Sequence, residues 1–358
     1  ALMETETVRK RSWLSREHFL DLLAATNLVP GPNATEMASH IGYVHAGWAG
    51  LVVGGLSFTL PAVIITLVLG EIYVRFGMLP EGQALFYGIN PVIVAIVVTA
   101  TYRLGRSAVR TVPLGVLSLL CLAASLWLEI EQAFILLAAG AVGVLWETWR
   151  SGWWGRPRGG PPSNRLGLLS IGLLSPLLWF EWGGSQIVHL ALFFLKVGAL
   201  LFGSGMMLFA FIQRDIVVDL GWLSQQQLID AIAVGQMTPG PVLSSATFIG
   251  YLIAGLSGAL VSTFAVFLPS FIIVALIGPW VTRLREISVA RAFMQGVNAA
   301  VVAAILSIAV DLARTAITDV WTIALAVVAL TLLLRYRVET WHLVVGGALI
   351  GFIRYLWG

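Results

Sequence analysis

Apolar residues run through this chain in long stretches, rather than in the one-faced or alternating patterns of a water-soluble protein. Between Ala231 and Thr282 there is no Asp, Glu, Lys or Arg. One membrane crossing takes about 20 residues, so this stretch holds more than one crossing or a re-entrant segment. The pattern predicts spans at about 50–73, 85–103, 112–128 and 131–149, and again at about 186–212, 257–281, 292–311, 318–334 and 339–356. Residues 19–46 and 228–254 are also apolar, but Pro30-Gly31-Pro32 and Pro239-Gly240-Pro241 interrupt them. Proline ends one helix and presets the first turn of the next. Each segment therefore reads as a pair of half-helices, a form accepted at membrane depth where protein or a cavity surrounds it. Residues 150–165 are polar and rich in Gly and Pro, and read as a linker. The predicted fold class is an all-α integral membrane protein.

The two broken segments belong to a larger repetition. Trp13-Leu14-Ser15, Asp21, Pro30-Gly31-Pro32, Gly42-Tyr43, Gly50 and Leu60-Pro61 recur as Trp222-Leu223-Ser224, Asp230, Pro239-Gly240-Pro241, Gly250-Tyr251, Gly258 and Leu268-Pro269. The offset is 209 up to the Pro-Gly-Pro and 208 from Gly42 onward, so the second copy has lost one residue just after that motif. Gly88-Ile89-Asn90 matches Gly296-Val297-Asn298 at the same offset of 208. The division expected is a first transmembrane repeat over 1–149, a cytoplasmic linker over 150–185 and a second repeat over 186–358. The span at 186–212 has no counterpart before Trp13, because Ala1 aligns near Ala210. The first repeat thus reads as missing its first helix, through truncation or as a natural short form.

Composition agrees with the pattern. Hydrophobic residues make up 58% and charged residues 11%, with a mean hydropathy of +0.91, where soluble domains carry about 25% charged residues. The pI near 9.2 does not indicate nucleic acid, because the basic residues sit between apolar runs, where they set topology. Glu4, Glu6, Arg9, Lys10 and Arg11 crowd the start, with no apolar segment of signal-peptide type directly after them. Cys121 is alone, which excludes an intramolecular disulfide and a cysteine metal cluster. Arg150, Arg156, Arg158 and Arg165 place the linker in the cytoplasm, together with Arg103, Arg106 and Arg110. Residues 166–182 are apolar but short and contain Pro176. If they do not cross, Arg283, Arg285, Arg291, Arg335 and Arg337 also fall inside, with Asp215 and Asp219 outside. The charges therefore favour two halves of opposite orientation, the inverted-repeat plan of many secondary transporters.

The candidate chemistry clusters at the two breaks. Gly31, Asn33 and Thr35 follow one Pro-Gly-Pro, and Gln236, Thr238, Gly240, Ser244 and Ser245 surround the other. A helix that begins there presents backbone N–H groups and the positive end of its dipole, with hydroxyls and amides within a turn. Such a terminus suits an oxyanion, whereas a plain helix break in a surface turn would occur once and outside apolar sequence. Glu36 carries two readings: the third helical residue of a capping box with Asn33 as N-cap, or a proton-coupling carboxylate. Lys196 falls mid-span, where a cation is functional by default unless it snorkels to the surface. His189 lies on the same face as Lys196 and is a second proton-coupling candidate. Gly203, Ser204 and Gly205 follow within two turns, allowing unwinding or close helix packing. Asn90 and Asn298 either line a polar cavity or bond a neighbouring helix. The other histidines have no metal-ligand spacing, and no nucleotide loop, nucleophile elbow or zinc signature is present; no cofactor, metal or enzymatic activity is expected.

The Pro-Gly-Pro-Asn with its Gly42-Tyr43, the Phe202-Gly-Ser-Gly phrase, and the Gly235-Gln-Met-Thr-Pro-Gly-Pro preceded by Gly221-Trp-Leu-Ser together resemble the chromate ion transporter family over nearly the whole chain. The resemblance implies export of chromate from the cytoplasm across the inner (plasma) membrane. It departs from the family in lacking a first-copy Phe-Gly motif and in having Ser204 where glycine is usual. The expected partners are a chromate or sulfate-like dianion and the lipid bilayer; a homodimer is a compatible assembly. The competing class is a membrane scaffold or receptor, which has no need of paired broken helices and a mid-span lysine. Two geometric expectations follow: the helices starting at Pro32 and Pro241 point their N-termini at each other near the midplane, and Lys196 points inward.

Overall fold

The computed structural model describes residues 2–26, 31–77, 79–128, 130–150, 185–277, 288–336 and 338–357, which are helical with no strand among them. The linker residues 151–184, with the 166–182 question, and Arg283, Arg285 and Arg337 lie outside the described residues, as do Asn27 and Pro30. The helices are α1 (Arg16–Thr26), α2 (Asn33–Phe76), α3 (Pro80–Ala108), α4 (Val112–Trp127), α5 (Gln132–Arg150) and α6 (Gln186–Leu200). They continue as α7 (Met207–Phe211, running on through Ile212–Asp219), α8 (Gln225–Met237), α9 (Ser245–Ile277), α10 (Ser288–Ala316), α11 (Val320–Thr331, running on through Leu332–Tyr336) and α12 (Thr340–Trp357). Five of the helical stretches are long and apolar enough to cross a membrane: Asn33–Phe76, Pro80–Ala108, Gln132–Arg150, Val242–Leu276 and Val289–Ala316. Their outward faces carry exposed Val53, Leu60, Ile64 and Val68 on α2 and Leu260, Phe264 and Leu276 on α9, as lipid contact requires.

Local chemistry sets the ends. α3 starts at a proline, whose missing N–H is harmless in a first turn. Ser224 caps α8 reciprocally with Gln227, and Asp319 caps α11 with Thr322. α2 is too long for one crossing and is a hairpin. Its backbone leaves the helical region at Ala46 and Gly47, the latter at φ 60°, and Gly42 then abuts Gly50 while Gly54 meets Ala38. α9 repeats the device: Ala254 and Gly255 break the helix at φ −140° and 61°, and Gly250 abuts Gly258. Each hairpin is a short inner arm followed by a full span.

The halves interlock. α5 packs along α10, and α12 along α3. Gly88 on α3 approaches the Gly347 backbone on α12, and Gly296 on α10 approaches Ala139 and Gly140 on α5. A Cβ at either glycine would collide with the facing carbonyl. The 208 offset of the sequence thus relates contacts between the halves as well as residues within them. α6 lies against α9, and α2 against α9. Along α2, the sequence 62, 66, 73 meets 240, 238, 230, through Gly240 against Ala62, Thr66 to Thr238, and Tyr73 to Asp230. The buried core is centred on α3, α6, α8 and α10 with the Phe202–Ile212 segment.

Two expectations are corrected. The stretch 186–212 is not one span: the helix stops at Leu200, and residues 201–206 are unwound before α7 begins. No capping box forms at Asn33. The N-cap is Pro32, at φ −77° and ψ 102°, and it has no side-chain oxygen to offer. Pro32 holds the extended geometry an N-cap needs, so Asn33 becomes the first helical residue and Glu36 the fourth.

Candidate functional site

Gly31-Pro32 and Gly240-Pro241 fold alike. Gly31 stands at φ 146° and Gly240 at φ 139°, values that L side chains rarely adopt. Pro32 and Pro241 follow in extended geometry and launch α2 and, through the turn Val242–Ser244, α9. Thr35 and Glu36 return their N–H groups to the Pro32 carbonyl, and Ser244 does so to that of Pro241. Two helix N-termini are therefore set inside the protein.

The unwound stretch 201–206 bridges them. The Gly31 N–H donates to the Leu201 carbonyl at 2.6 Å. Gly203, at φ 72°, lies against Asn298 Oδ1, and Gly205 packs on Val242 and Leu243 beside the second turn. Ser204 Oγ accepts the Met206 N–H at 3.3 Å, and Gln236 Nε2 meets Met206 Sδ at 3.7 Å. The glycines of this stretch serve both readings offered by the sequence: they unwind the helix and let other groups come close.

The polar groups here are buried and largely unused. Thr35, Glu36, Ser244 and Ser245 are all but inaccessible. Thr35 Oγ1, both Glu36 carboxyl oxygens, Ser244 Oγ, Ser245 Oγ, Ser270 Oγ and Asn298 Oδ1 have no hydrogen-bond partner. Buried polar atoms are nearly always satisfied, so these hydroxyls are available to bond water or a ligand. The Glu36 carboxyl and the Ser270 hydroxyl both crowd the Cα of Gly31. His40, one turn beyond Glu36, also keeps a buried Nε2 without a partner. Thr238 differs, since its hydroxyl donates to the Val234 carbonyl at 2.7 Å. A cavity of about 600 Å³ opens at the second turn, with Gln236, Thr238 and Gly240 on one side and Glu339 and Trp341 on the other.

Lys196 is buried, at 4% exposure, and does not snorkel. Its ammonium donates to Glu131 Oε1 at 2.7 Å and Asp215 Oδ2 at 2.6 Å, so two carboxylates already balance its charge. His189 lies against the Trp222 ring, with centroids 5.9 Å apart. Sequence reasoning put Asp215 outside as a topological marker and gave Glu131 no partner. It also passed over Ser270, although that residue follows the repeated Leu-Pro, and Asp230, although Asp21 and Asp230 recur in the repeat.

The model of the chromate transporter family matches residues 1–144 and 188–352. The chain belongs to the chromate transporter family. This transporter-family chain is 35% identical over 365 residues to the chromate transport protein of Cupriavidus metallidurans, covering 99% of the chain and 87% of that relative. It is 32% identical over 329 residues to a probable chromate transport protein of Synechococcus elongatus, covering 92% and 82%. An uncharacterized transporter of Methanocaldococcus jannaschii is 25% identical over 355 residues, covering 96% and 86%. No solved structure matches the chain. The family match spans both Pro-Gly-Pro turns and the unwound stretch, so the site described belongs to the part shared with these relatives.

Proposed function

We propose that this protein carries chromate, a tetrahedral dianion, out of the cytoplasm across the plasma membrane by a gradient-driven secondary mechanism. The observation that carries the reading is the set of buried, unpartnered hydroxyls of Thr35, Ser244, Ser245 and Ser270, placed at two helix N-termini and beside a glycine-rich unwound stretch. Each terminus carries about half a positive charge, so two offset roughly one unit of the dianion. Asn33, Thr35, Gln236, Thr238, Ser244 and Ser245, with the backbone at Gly31, Gly203, Ser204, Gly205 and Gly240, supply neutral contacts. Neutral donors hold the anion weakly enough to release it. Lys196 joins the site through its carboxylates: its charge reaches the anion when Glu131 or Asp215 lets go. Glu36 and His189 are the candidate proton-coupling groups that the sequence offers to this reading.

The fold reading that accompanies it is a pair of inverted repeats, 1–149 and 186–358, joined by a cytoplasmic linker. Its support is geometric. Contacts progress from 62 to 71 on α2 as they progress from 240 to 251 on the second copy, ending with Tyr251 donating to Glu71. The short arm of α9 therefore runs with the long arm of α2, and the two long arms run antiparallel. In a cysteine-accessibility map, Arg110→Cys and Arg335→Cys label from the same side; labelling from opposite sides ends the inverted arrangement.

Flux of radioactive chromate in proteoliposomes, with sulfate as competitor, tests the function. Gradient-dependent flux of chromate is expected; its absence with folded protein returns the scaffold class, and preferential flux of sulfate reassigns the substrate. Ser245→Ala removes one neutral donor and should weaken apparent affinity by about tenfold, the cost of roughly 1.5 kcal/mol for one hydrogen bond to a charged group. Unchanged KM places Ser245 outside the site.

A further inference from the structure

Among the described residues, one buried acid is used by neither the anion site nor the Lys196 cluster. Asp230 sits in the second turn of α8 at 2% exposure. Its Oδ2 accepts from the Tyr73 hydroxyl at 2.6 Å, and its Oδ1 from the Gln226 amide at 2.8 Å. Tyr73 comes from the far end of α2, 157 residues away in sequence. Its ring is held edge-on by Phe86 of α3 at 5.4 Å and Phe248 of α9 at 5.2 Å. The surroundings are therefore apolar apart from two neutral donors.

Charged groups on the neighbouring elements are engaged elsewhere. On α2, Glu71 is taken by Arg75 and Tyr251. On the continuation of α7, Arg214 pairs with Asp219, and Asp215 with Lys196. On α3, Arg103 donates to the Leu333 carbonyl. On α10, Arg314 pairs with Asp311, and on α12 His342 faces Glu339 while Arg354 reaches Asp319. Among the described residues, no Lys, Arg or His pairs with Asp230. An ionisable group buried in a membrane protein without a countercharge is costly to keep for structure alone. The acid form fits the same place, because Tyr73 and Gln226 can still donate to it.

Its position gives it leverage. α8 leads straight into the second Pro-Gly-Pro turn, with Thr238 about two helical turns beyond Asp230. The helix leans on α2 at Tyr73, and the turn that follows it does so at Thr66 and at Ala62. The Tyr73–Asp230 bond is the outermost of these anchors, and it joins the two halves of the chain.

We propose that Asp230 is a proton-binding site coupled to the anion site. The carboxylate takes one proton from water on the loading side, forming an O–H bond, and the dianion then enters without a third negative charge nearby. On the release side the O–H bond breaks and the proton leaves to water with the anion. No oxidation or reduction is involved. This inference rests on the transport reading and deepens it by placing the coupled proton on an acid outside the anion site.

The test follows proton movement and chromate flux together in proteoliposomes carrying a trapped pH dye. Wild-type protein is expected to move protons with chromate. Asp230→Asn, a neutral isostere, is expected to keep chromate flux within a few-fold and to abolish the coupled pH change. It should also flatten the pH dependence of flux, expressed as a ratio to wild type so that chromate's own protonation cancels. Tyr73→Phe keeps the acid but removes a donor to its ionised form, and should move the midpoint of the flux profile to higher pH. Coupled proton movement that survives Asp230→Asn overturns the inference, as does its loss in Glu36→Gln but not in Asp230→Asn. If Asp230→Asn does not fold, an unshifted Tyr73→Phe profile overturns it and a shifted one supports it. Absence of chromate flux in wild-type protein instead overturns the transport reading on which it rests.

Discussion

Gly31→Ala and Gly240→Ala are each expected to cut chromate flux by about tenfold or more while leaving the protein folded and monodisperse. The backbone at these positions, φ 146° and 139°, is close to glycine-only territory, and a side chain there costs about 1–3 kcal/mol in strain. At Gly31 the added methyl would also collide with the Glu36 carboxyl and stand 2.5 Å from Ser270 Oγ. At Gly240 it would stand 2.7 Å from the Ala62 methyl. The turn relieves this by shifting, which turns the helix N-terminus away from the anion. A loss of about 1.4 kcal/mol in transition-state stabilisation is tenfold in rate. Initial flux normalised to the folded peak in size exclusion is the measurement. Flux at wild-type level in both variants would remove the turns from the substrate path.

Lys196→Ala is expected to fail at an earlier stage. Truncating one partner of a buried ion pair leaves the remaining charges uncompensated and costs about 3–5 kcal/mol. Here two carboxylates, Glu131 and Asp215, are left facing each other's charge. The variant should lose thermal stability in detergent and give little folded protein. Adding Glu131→Gln and Asp215→Asn should restore the folded yield, since the cluster is then neutral throughout. Flux in that triple variant separates two roles. It stays low if the lysine contributes charge to the anion, and it returns with the fold if the lysine only holds α6 to α5 and α7. Normal stability in Lys196→Ala alone contradicts the ion cluster.

Much of the arrangement could be read from residue types that act locally. Proline and glycine punctuate the backbone whatever their surroundings, so the helix starts after Gly31-Pro32 and Gly240-Pro241 were legible. The five long spans were legible because apolar length alone decides whether a helix can cross, whereas 186–212 was misread as one span. The hairpin bends at Ala46-Gly47 and Ala254-Gly255 were not, since a glycine within apolar sequence usually reads as packing. The break at 201–206 was half legible: its glycines permitted unwinding, but only the docking of Gly31 onto the Leu201 carbonyl required it. The capping box failed because Pro32 competes for the N-cap through its fixed φ. The partners of Lys196 could not be found at all. They lie 65 and 19 residues away, in segments that were read only for topology.

The most direct measurement is an anomalous-difference map, at the chromium edge, of crystals of the protein grown with chromate. The peak is expected against the unwound residues 203–205, between the turns at Gly31 and Gly240 and within hydrogen-bonding reach of the unpartnered hydroxyls. A peak confined to the surface arginines, or none at a chromate concentration that saturates flux, would contradict the site.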